Sequence, residues 1–144
     1  MDIRKYVEND KKEVVEVVLE ILEEMFNGEP AEFEILKEFD VTKDYIKYLV
    51  AVDEGNIIAT GALKKLSDDE VRLKRMYVAS EYRGRGTAQK ILDQLMLFAK
   101  EQGFKQVIFS TYPIMKDARK FHKKNGFMET ENEDPYKTHL LKKL

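Results

Sequence analysis

The chain has 144 residues, enough for one domain with an apolar core, and its 25 basic and 27 acidic side chains leave a net charge of −2. That charge argues against the basic surface of a general nucleic-acid-binding protein, and the lack of cysteine excludes disulfides, thiolate metal sites and a catalytic thiol. With two histidines, no apolar signal segment and no run near the ~20 apolar residues of a membrane span, we expect a single cytoplasmic domain over residues 1–144, without a metal site or a membrane contact.

The first third of the chain predicts mainly helix. Residues 2–7 suggest a short strand, and Asn9 or Asp10 can cap the helix that follows. One apolar stripe at helical spacing marks that helix: Val14, Val17, Val18, Ile21, Leu22 and Met25. Residues 27–30 end it, residues 31–39 predict a second helix, and residues 43–46 predict one more helical turn.

Strands are predicted in the middle of the chain. Residues 48–52 and 57–63 flank a hairpin turn at Asp53-Glu54-Gly55-Asn56, and residues 67–69 form another turn. The next strand runs to about Ala79. Strict alternation along it places Val71, Leu73, Arg75 and Tyr77 on one face and Arg72, Lys74, Met76 and Val78 on the other.

The last third alternates helix and strand. A helix begins near Gly84, and Gly103 closes it as its C′ residue. Its buried face comprises Ala88, Ile91, Leu92, Leu95 and Ala99. A strand over 106–111 precedes a helix that carries Met115, Ala118, Phe121 and His122 on one face, and strands over 127–130 and 136–141 follow. This order predicts an α/β (α+β) fold, a mixed sheet with helices packed against it.

One segment between a strand and a helix has the features of an anion site. Arg83-Gly84-Arg85-Gly86-Thr87-Ala88 holds two glycines, which allow unusual backbone angles and close approach of an anion to the main chain. The first N–H groups of the following helix lack internal partners and carry partial positive charge, which suits a phosphate. The segment is neither a Walker loop nor the three-glycine dinucleotide fingerprint.

Two stretches resemble motifs of the GNAT family of N-acetyltransferases. Leu73-Lys74-Arg75-Met76-Tyr77-Val78 followed by the turn resembles motif A, in which Arg83, Gly86 and Ala88 fill the fixed places of Arg/Gln-x-x-Gly-x-Gly/Ala. Ala118-x-x-Phe121-His122-x-x-x-Gly126-Phe127 is similar to motif B. The resemblance implies the GNAT fold: a mixed, mostly antiparallel sheet of about six to seven strands flanked by about four helices.

The resemblance also implies an acetyl-CoA site. The pantetheine arm would pair with the strand at Met76, Tyr77 and Val78, as a peptide adds to a strand. The pyrophosphate would bind the turn, at Arg83, Gly84, Arg85, Gly86, Thr87 and Ala88, and Met115 would contact the cofactor from the next helix. The acetyl carbonyl would lie where two parallel strands separate, near residues 76–78 and 110–112, so that an exposed N–H polarises the thioester.

Two positions depart from the family pattern. His122 stands where motif B often has the tyrosine that protonates the leaving thiolate, and an imidazolium could donate instead. Arg72 stands where relatives commonly carry a glutamate base. Glu70, on the same strand face by the period of two, could take over as general base, and Arg72 could instead bind an acidic group of the acceptor.

The acceptor expected from the resemblance is a primary amine, on a small molecule or a peptide, that attacks the thioester directly in a ternary complex. Residues 20–44 carry nine carboxylates against two lysines, which favours a cationic acceptor, whereas Arg72 favours an acidic one. A non-catalytic acyl-CoA-binding module and a module for another nucleotide are the alternatives. A homodimer through the C-terminal strands, with residues 136–141 as the exposed edge, is also compatible with the family.

Overall fold

In a computed structural model, residues 1–26, 45–111, 115–131 and 137–144 are described; the predicted helices over 31–39 and 43–46 fall wholly or partly outside these ranges. The strands are β1 (Asp2–Lys5), β2 (Lys47–Asp53), β3 (Asn56–Lys65), β4 (Glu70–Val78), β5 (Gln106–Thr111), β6 (Met128–Thr130) and β7 (Thr138–Lys143). The α-helices within those ranges are α1 (Lys11–Phe26), α2 (Thr87–Glu101) and α3 (Lys116–Lys124), and short 3₁₀ helices span Glu8–Asp10 and Ser80–Tyr82. None of the described helices is long and apolar enough to cross a membrane.

The strands form one seven-stranded sheet in the order β1-β2-β3-β4-β5-β7-β6. All neighbours are antiparallel except β4 and β5, whose parallel pairing extends from Glu70 opposite Gln106 to Leu73 opposite Phe109. This mixed, mostly antiparallel sheet is the one expected from the sequence. The expected exposed edge over 136–141 is wrong, because β7 lies between β5 and β6 and both of its sides are paired.

Helices cover both faces of the sheet and build two apolar clusters. On one face, α1 packs through Val14, Val18 and Leu22 against Tyr48 and Val50 of β2. On the other face, α2 packs against β2, β3, β4 and β5, through Ile91, Leu92, Leu95 and Ala99. The apolar stripes predicted from helical spacing are therefore the buried faces of both helices where side chains are described.

Two predicted turns have the backbone that their glycines indicated. Glu54 and Gly55, both with positive φ, connect β2 to β3. At the end of α2, Gly103 has φ +86°, its N–H donates to Lys100 O, and the N–H of Phe104 donates to Ala99 O. These two bonds make a Schellman motif, in which a left-handed C′ glycine satisfies the last carbonyls of the helix.

A β-bulge in β4 corrects the predicted face alternation. The pairing register of β3 with β4 shifts between Thr60 and Ala62, and Arg75 opposite this shift has φ +58°. The extra residue reverses the sheet face on which the following side chains lie. Val71 and Leu73 pack on the α2 side. The predicted alternation places Met76 and Val78 on the opposite face, but they also pack on the α2 side. Tyr77 packs with the α1 cluster, so the strict alternation over residues 71–78 is wrong after Arg75.

Candidate acetyl-CoA cleft

The glycine-rich turn leaves the start of α2 open to an anion. Gly84 and Gly86 have φ of +77° and +81°, values that favour glycine over any residue with a Cβ. Gly86 is the N-cap and has no side chain that could cap the helix, and the first turn of α2 holds no acidic residue. The N-cap residue thus does not satisfy the first amides of α2, and the helix dipole adds its positive end there.

The two arginines of the turn are held by neighbouring groups. Arg83 Nε donates to Val78 O at 3.1 Å, and its Nη1 lies 3.1 Å from Glu24 Oε1 of α1 in a largely exposed ion pair. The guanidinium of Arg85 lies 5.1 Å from the ring centroid of Tyr82. Arg83 therefore joins the end of β4, the turn and the end of α1.

An open cleft of about 870 Å³ extends from this turn towards the end of β4 and along α3. Every residue predicted to contact the cofactor lines it, except Arg85. Tyr82, Gln89 and Ile21 also line it, as do Lys116, Asp117, Ala118, Phe121, His122 and Lys124. Its size and elongated lining of strand end, phosphate turn and helix suit a long ligand with an anionic centre.

Beyond Leu73 and Phe109, the parallel pairing of β4 with β5 stops, and the bulge at Arg75 interrupts the pairing of β4 with β3. Among the described residues, β4 therefore has no pairing partner on its β5 side at Met76–Val78, next to the inner end of the cleft, while Tyr77 and Val78 still pair with Thr60 and Ala59 of β3. A glycine-rich helix start at one end and a strand end without a β5 partner at the other are the two features that define this cleft.

Comparison with known proteins decides the family. The model of the Acetyltransferase (GNAT) family matches residues 15–127, which include the open strand, the turn, the cleft-lining residues and α3. The chain belongs to the GNAT family. Both GNAT motifs identified in the sequence fall within the matched residues, and each contributes residues to the lining of the cleft.

Relatives and solved structures agree with this assignment. Human N-acetyltransferase 8B is 29% identical over 101 residues, which cover 63% of this chain and 44% of the relative. Probable N-acetyltransferase camello of Xenopus tropicalis is 29% identical over 115 residues, which cover 75% of this chain and 52% of the relative. The chain spans about half the length of these relatives. An acetyltransferase of the GNAT family from Staphylococcus aureus Mu50 superposes with a TM-score of 0.90 at 24% identity, covering 99% of this chain and 98% of that one.

A ligand-bound neighbour has the same fold. The PaiA N-acetyltransferase of Thermoplasma acidophilum, solved in complex with coenzyme A, superposes with a TM-score of 0.84 at 21% identity and covers 99% of this chain and 98% of that one. At this identity the similarity establishes the GNAT fold of the chain.

His122 of motif B lies in an aromatic cage beside the cleft. Its ring stacks on Phe109 with centroids 3.8 Å apart, and Phe121 and Phe127 meet it edge to face. Burial lowers the pKa of His122 to about 4, although a hydrogen bond to Ala118 O acts in the opposite direction. Nδ1 lies 2.7 Å from that carbonyl and donates to it, while Nε2 is buried and has no partner among the described residues. The ring is neutral at pH 7, which does not suit an imidazolium donor.

Glu70 lies at the opposite end of β4 from the cleft. It is the first residue of the strand, pairs with Gln106 of β5 and accepts a hydrogen bond from the Gln106 amide. Six positions separate it from Met76, about 20 Å along an extended strand. The structure therefore brings His122 together with the predicted cofactor residues other than Arg85, but not with Glu70.

The cleft also contains residues that the sequence did not reveal as site residues. Tyr82 adjoins the motif, so its spacing alone could have indicated it. Ile21 comes from α1, more than fifty positions earlier in the chain, and only the packing of α1 beside the turn places it at the cleft. A packing contact between residues so far apart in the chain leaves no local signal in a single sequence.

Proposed function

We propose that this chain transfers an acetyl group from acetyl-CoA to a primary amine by direct attack in a ternary complex. The observation that carries the proposal is the uncapped start of α2, with left-handed Gly84 and Gly86, at one end of a cleft whose other end is the open strand at Met76–Val78. A pyrophosphate suits the first feature and an amide-bearing pantetheine arm suits the second.

The chemistry assigned to the chain uses mainly backbone groups. The amine nitrogen forms a bond to the thioester carbonyl carbon, the carbon–sulfur bond breaks, and the electron pair leaves with sulfur. A backbone N–H among residues 76–78 stabilises the charge that develops on the carbonyl oxygen. The attacking amine gives up its proton to water, and water protonates the thiolate, since His122 is neutral and Glu70 is remote.

The test is release of free thiol from acetyl-CoA in the presence of a panel of amines, with mass spectrometry to identify the acetylated product. We expect thiol release that depends on both the protein and the amine. The absence of thiol release with every amine, together with tight binding of acetyl-CoA, would contradict the transfer reaction.

A non-catalytic acyl-CoA-binding module is the second candidate. The neutral, caged His122 and the distance of Glu70 from the cleft favour it, because neither predicted proton-transfer residue is placed to act. The same thiol assay separates the two functions. The cytoplasmic location and the homodimer expected from the sequence stay predictions.

A further inference from the structure

Three polar side chains meet on the sheet face opposite α2, where β4, β5 and β7 run side by side. Leu73, Phe109 and Leu140 belong to the cluster under α2, so their neighbours Arg72, Ser110 and His139 lie on the other face. Ser110 Oγ lies 2.8 Å from His139 Nδ1, and Arg72 Nη1 lies 3.4 Å from Ser110 Oγ. We call Arg72, Ser110 and His139 the polar triplet.

The polar triplet keeps hydrogen-bond donors beyond its internal bonds. A guanidinium only donates, so Ser110 Oγ accepts from Arg72, and the contact between Ser110 Oγ and His139 Nδ1 holds the imidazole beside the serine. Arg72 keeps further N–H groups that this bond does not use, and none of the three side chains is a carboxylate.

Nothing in the described part of the chain neutralises Arg72. None of the salt bridges formed within residues 1–26, 45–111, 115–131 and 137–144 includes it. Glu70, two positions earlier on the same strand face, is hydrogen-bonded to Gln106 instead. Arg72 is partly exposed, so its planar fork can accept a carboxylate in two parallel bonds.

The polar triplet also lies beside the proposed reaction centre. Ser110 is the first β5 residue after the last β4–β5 pair, at the point where the two strands separate. Arg72 lies four positions before Met76, at most about 13 Å along an extended strand, and its long side chain shortens that gap. A bound anion and the thioester would thus be within the span of one small molecule.

From these observations we infer that the polar triplet is the acceptor subsite and that the acceptor is an amine bearing a carboxylate, held by Arg72. This inference rests on the proposed transferase function and makes it more specific. It also chooses between the two acceptor classes suggested by the sequence, against the cationic one.

The experiment measures kcat/KM for matched pairs of acceptors, each an amino acid and its carboxamide. The amino acids are glycine, β-alanine, γ-aminobutyrate and ε-aminocaproate, which differ in the distance between amine and carboxylate. Spermidine represents cationic acceptors. The proteins are the wild type, Arg72→Gln, His139→Gln and the control Lys100→Gln, which removes one positive charge at the exposed end of α2. Acetyl-CoA binding is measured by calorimetry for each protein.

We expect at least one acid to exceed its carboxamide by about tenfold or more in kcat/KM. Arg72→Gln should reduce that ratio towards one, because only the reaction of the acid becomes slower, and His139→Gln should reduce the ratio less. Lys100→Gln should have the same ratio as the wild type. The affinity for acetyl-CoA should be the same in all four proteins. A tenfold ratio corresponds to about 1.4 kcal/mol, close to the lower end of the range of about 1.5–3 kcal/mol for one hydrogen bond to a charged group.

Four results would overturn the inference: equal use of acid and carboxamide, equal loss of both in Arg72→Gln, a preference for spermidine, or turnover of spermidine or a carboxamide but of no acid. Failure of the proposed function itself is distinguishable, because thiol release from acetyl-CoA would then be absent with every amine, spermidine and the carboxamides included.

Discussion

His122 lies in a cage of three phenylalanines that keeps its ring neutral. Because its pKa is lowered to about 4, the unfolded chain binds a proton between about pH 6.5 and pH 4 that the folded chain does not. The contribution of His122 to stability is therefore complete above about pH 6.5 and is lost as the pH falls towards 4. Lowering the pKa from 6.5 to about 4 corresponds to about 3 kcal/mol.

A phenylalanine at position 122 should remove this pH dependence. In His122→Phe, urea unfolding at about pH 7 and about pH 4.5 should show a smaller loss of unfolding free energy on acidification than in the wild type. Asp10 and Glu129, whose carboxyl pKa values are lowered by ion pairs with Arg4 and Lys123, add a common background in both proteins. An identical loss in both proteins would show that the ring is protonated in the folded state.

The same variant tests the expected donor role. If the thiolate takes its proton from solvent, His122→Phe should keep its turnover number within about threefold of the wild type, measured by thiol release at neutral pH. A loss of about tenfold or more, towards the roughly hundredfold or larger effects typical of general-acid catalysis, would show that His122 takes part in the reaction.

Among single residues, the sequence located in advance the cleft-lining residues to which we assign backbone roles. Gly84, Gly86 and Met76–Val78 could be recognised because they belong to one motif of fixed spacing. Residues that act through their side chains were harder to predict. The protonation state of His122 depends on Phe109, from another strand, and one sequence does not show which aromatic residues surround an imidazole.

At the level of elements, the start and the end of α2 offer a matched test of the turn. Gly86 and Gly103 have φ of +81° and +86°, and a Cβ at either position would meet nothing within 4 Å. Alanine at either site should lower stability by about 1–2 kcal/mol through the same left-handed strain. Only Gly86→Ala should weaken acetyl-CoA binding, by about tenfold, as measured by calorimetry. Equal affinities in the two variants would remove the turn from the site.

The contact of β3 with α2 gives a second test, of packing rather than of backbone angle. A Cβ on Gly61 would overlap Ile91 Cγ2 and lie 2.8 Å from the Met76 sulfur, next to the β4 bulge. Gly61→Ala should therefore cost about 1–3 kcal/mol in urea unfolding, the usual range for overpacking. A change below about 0.5 kcal/mol would mean that α2 is held less tightly against the sheet.

The boundaries of helices and strands followed from local sequence signals, whereas the sheet face of each side chain and the partners of each strand did not. The Schellman end of α2 and the β2–β3 hairpin depend on adjacent glycines, and both were predicted. The side-chain reversal after Arg75 depends on a mismatch with β3, and the position of β7 between β5 and β6 depends on strand pairing. Both need distant contacts, which alternation within one strand does not encode.

Across the whole molecule, the proposed site is assembled at one junction. The β4 strand contributes its bulge and its end without a β5 partner, the glycine-rich turn contributes the start of α2, and Arg83 contacts β4 through Val78 and α1 through Glu24. The GNAT resemblance predicted this junction because its motifs span it. On the acceptor side the sequence singled out Arg72, but it did not show that Arg72 meets Ser110 and His139, since the three residues come from three strands.

Calorimetric titration of the wild type with acetyl-CoA, with ATP and NAD as controls, tests the central claim most directly. We predict saturable binding of acetyl-CoA with a micromolar Kd and no comparable binding of ATP or NAD. At about 100 times its Kd, acetyl-CoA should add about 2.7 kcal/mol of stability, visible as a higher melting temperature. Binding of ATP or NAD without binding of acetyl-CoA would contradict the assignment of the cleft.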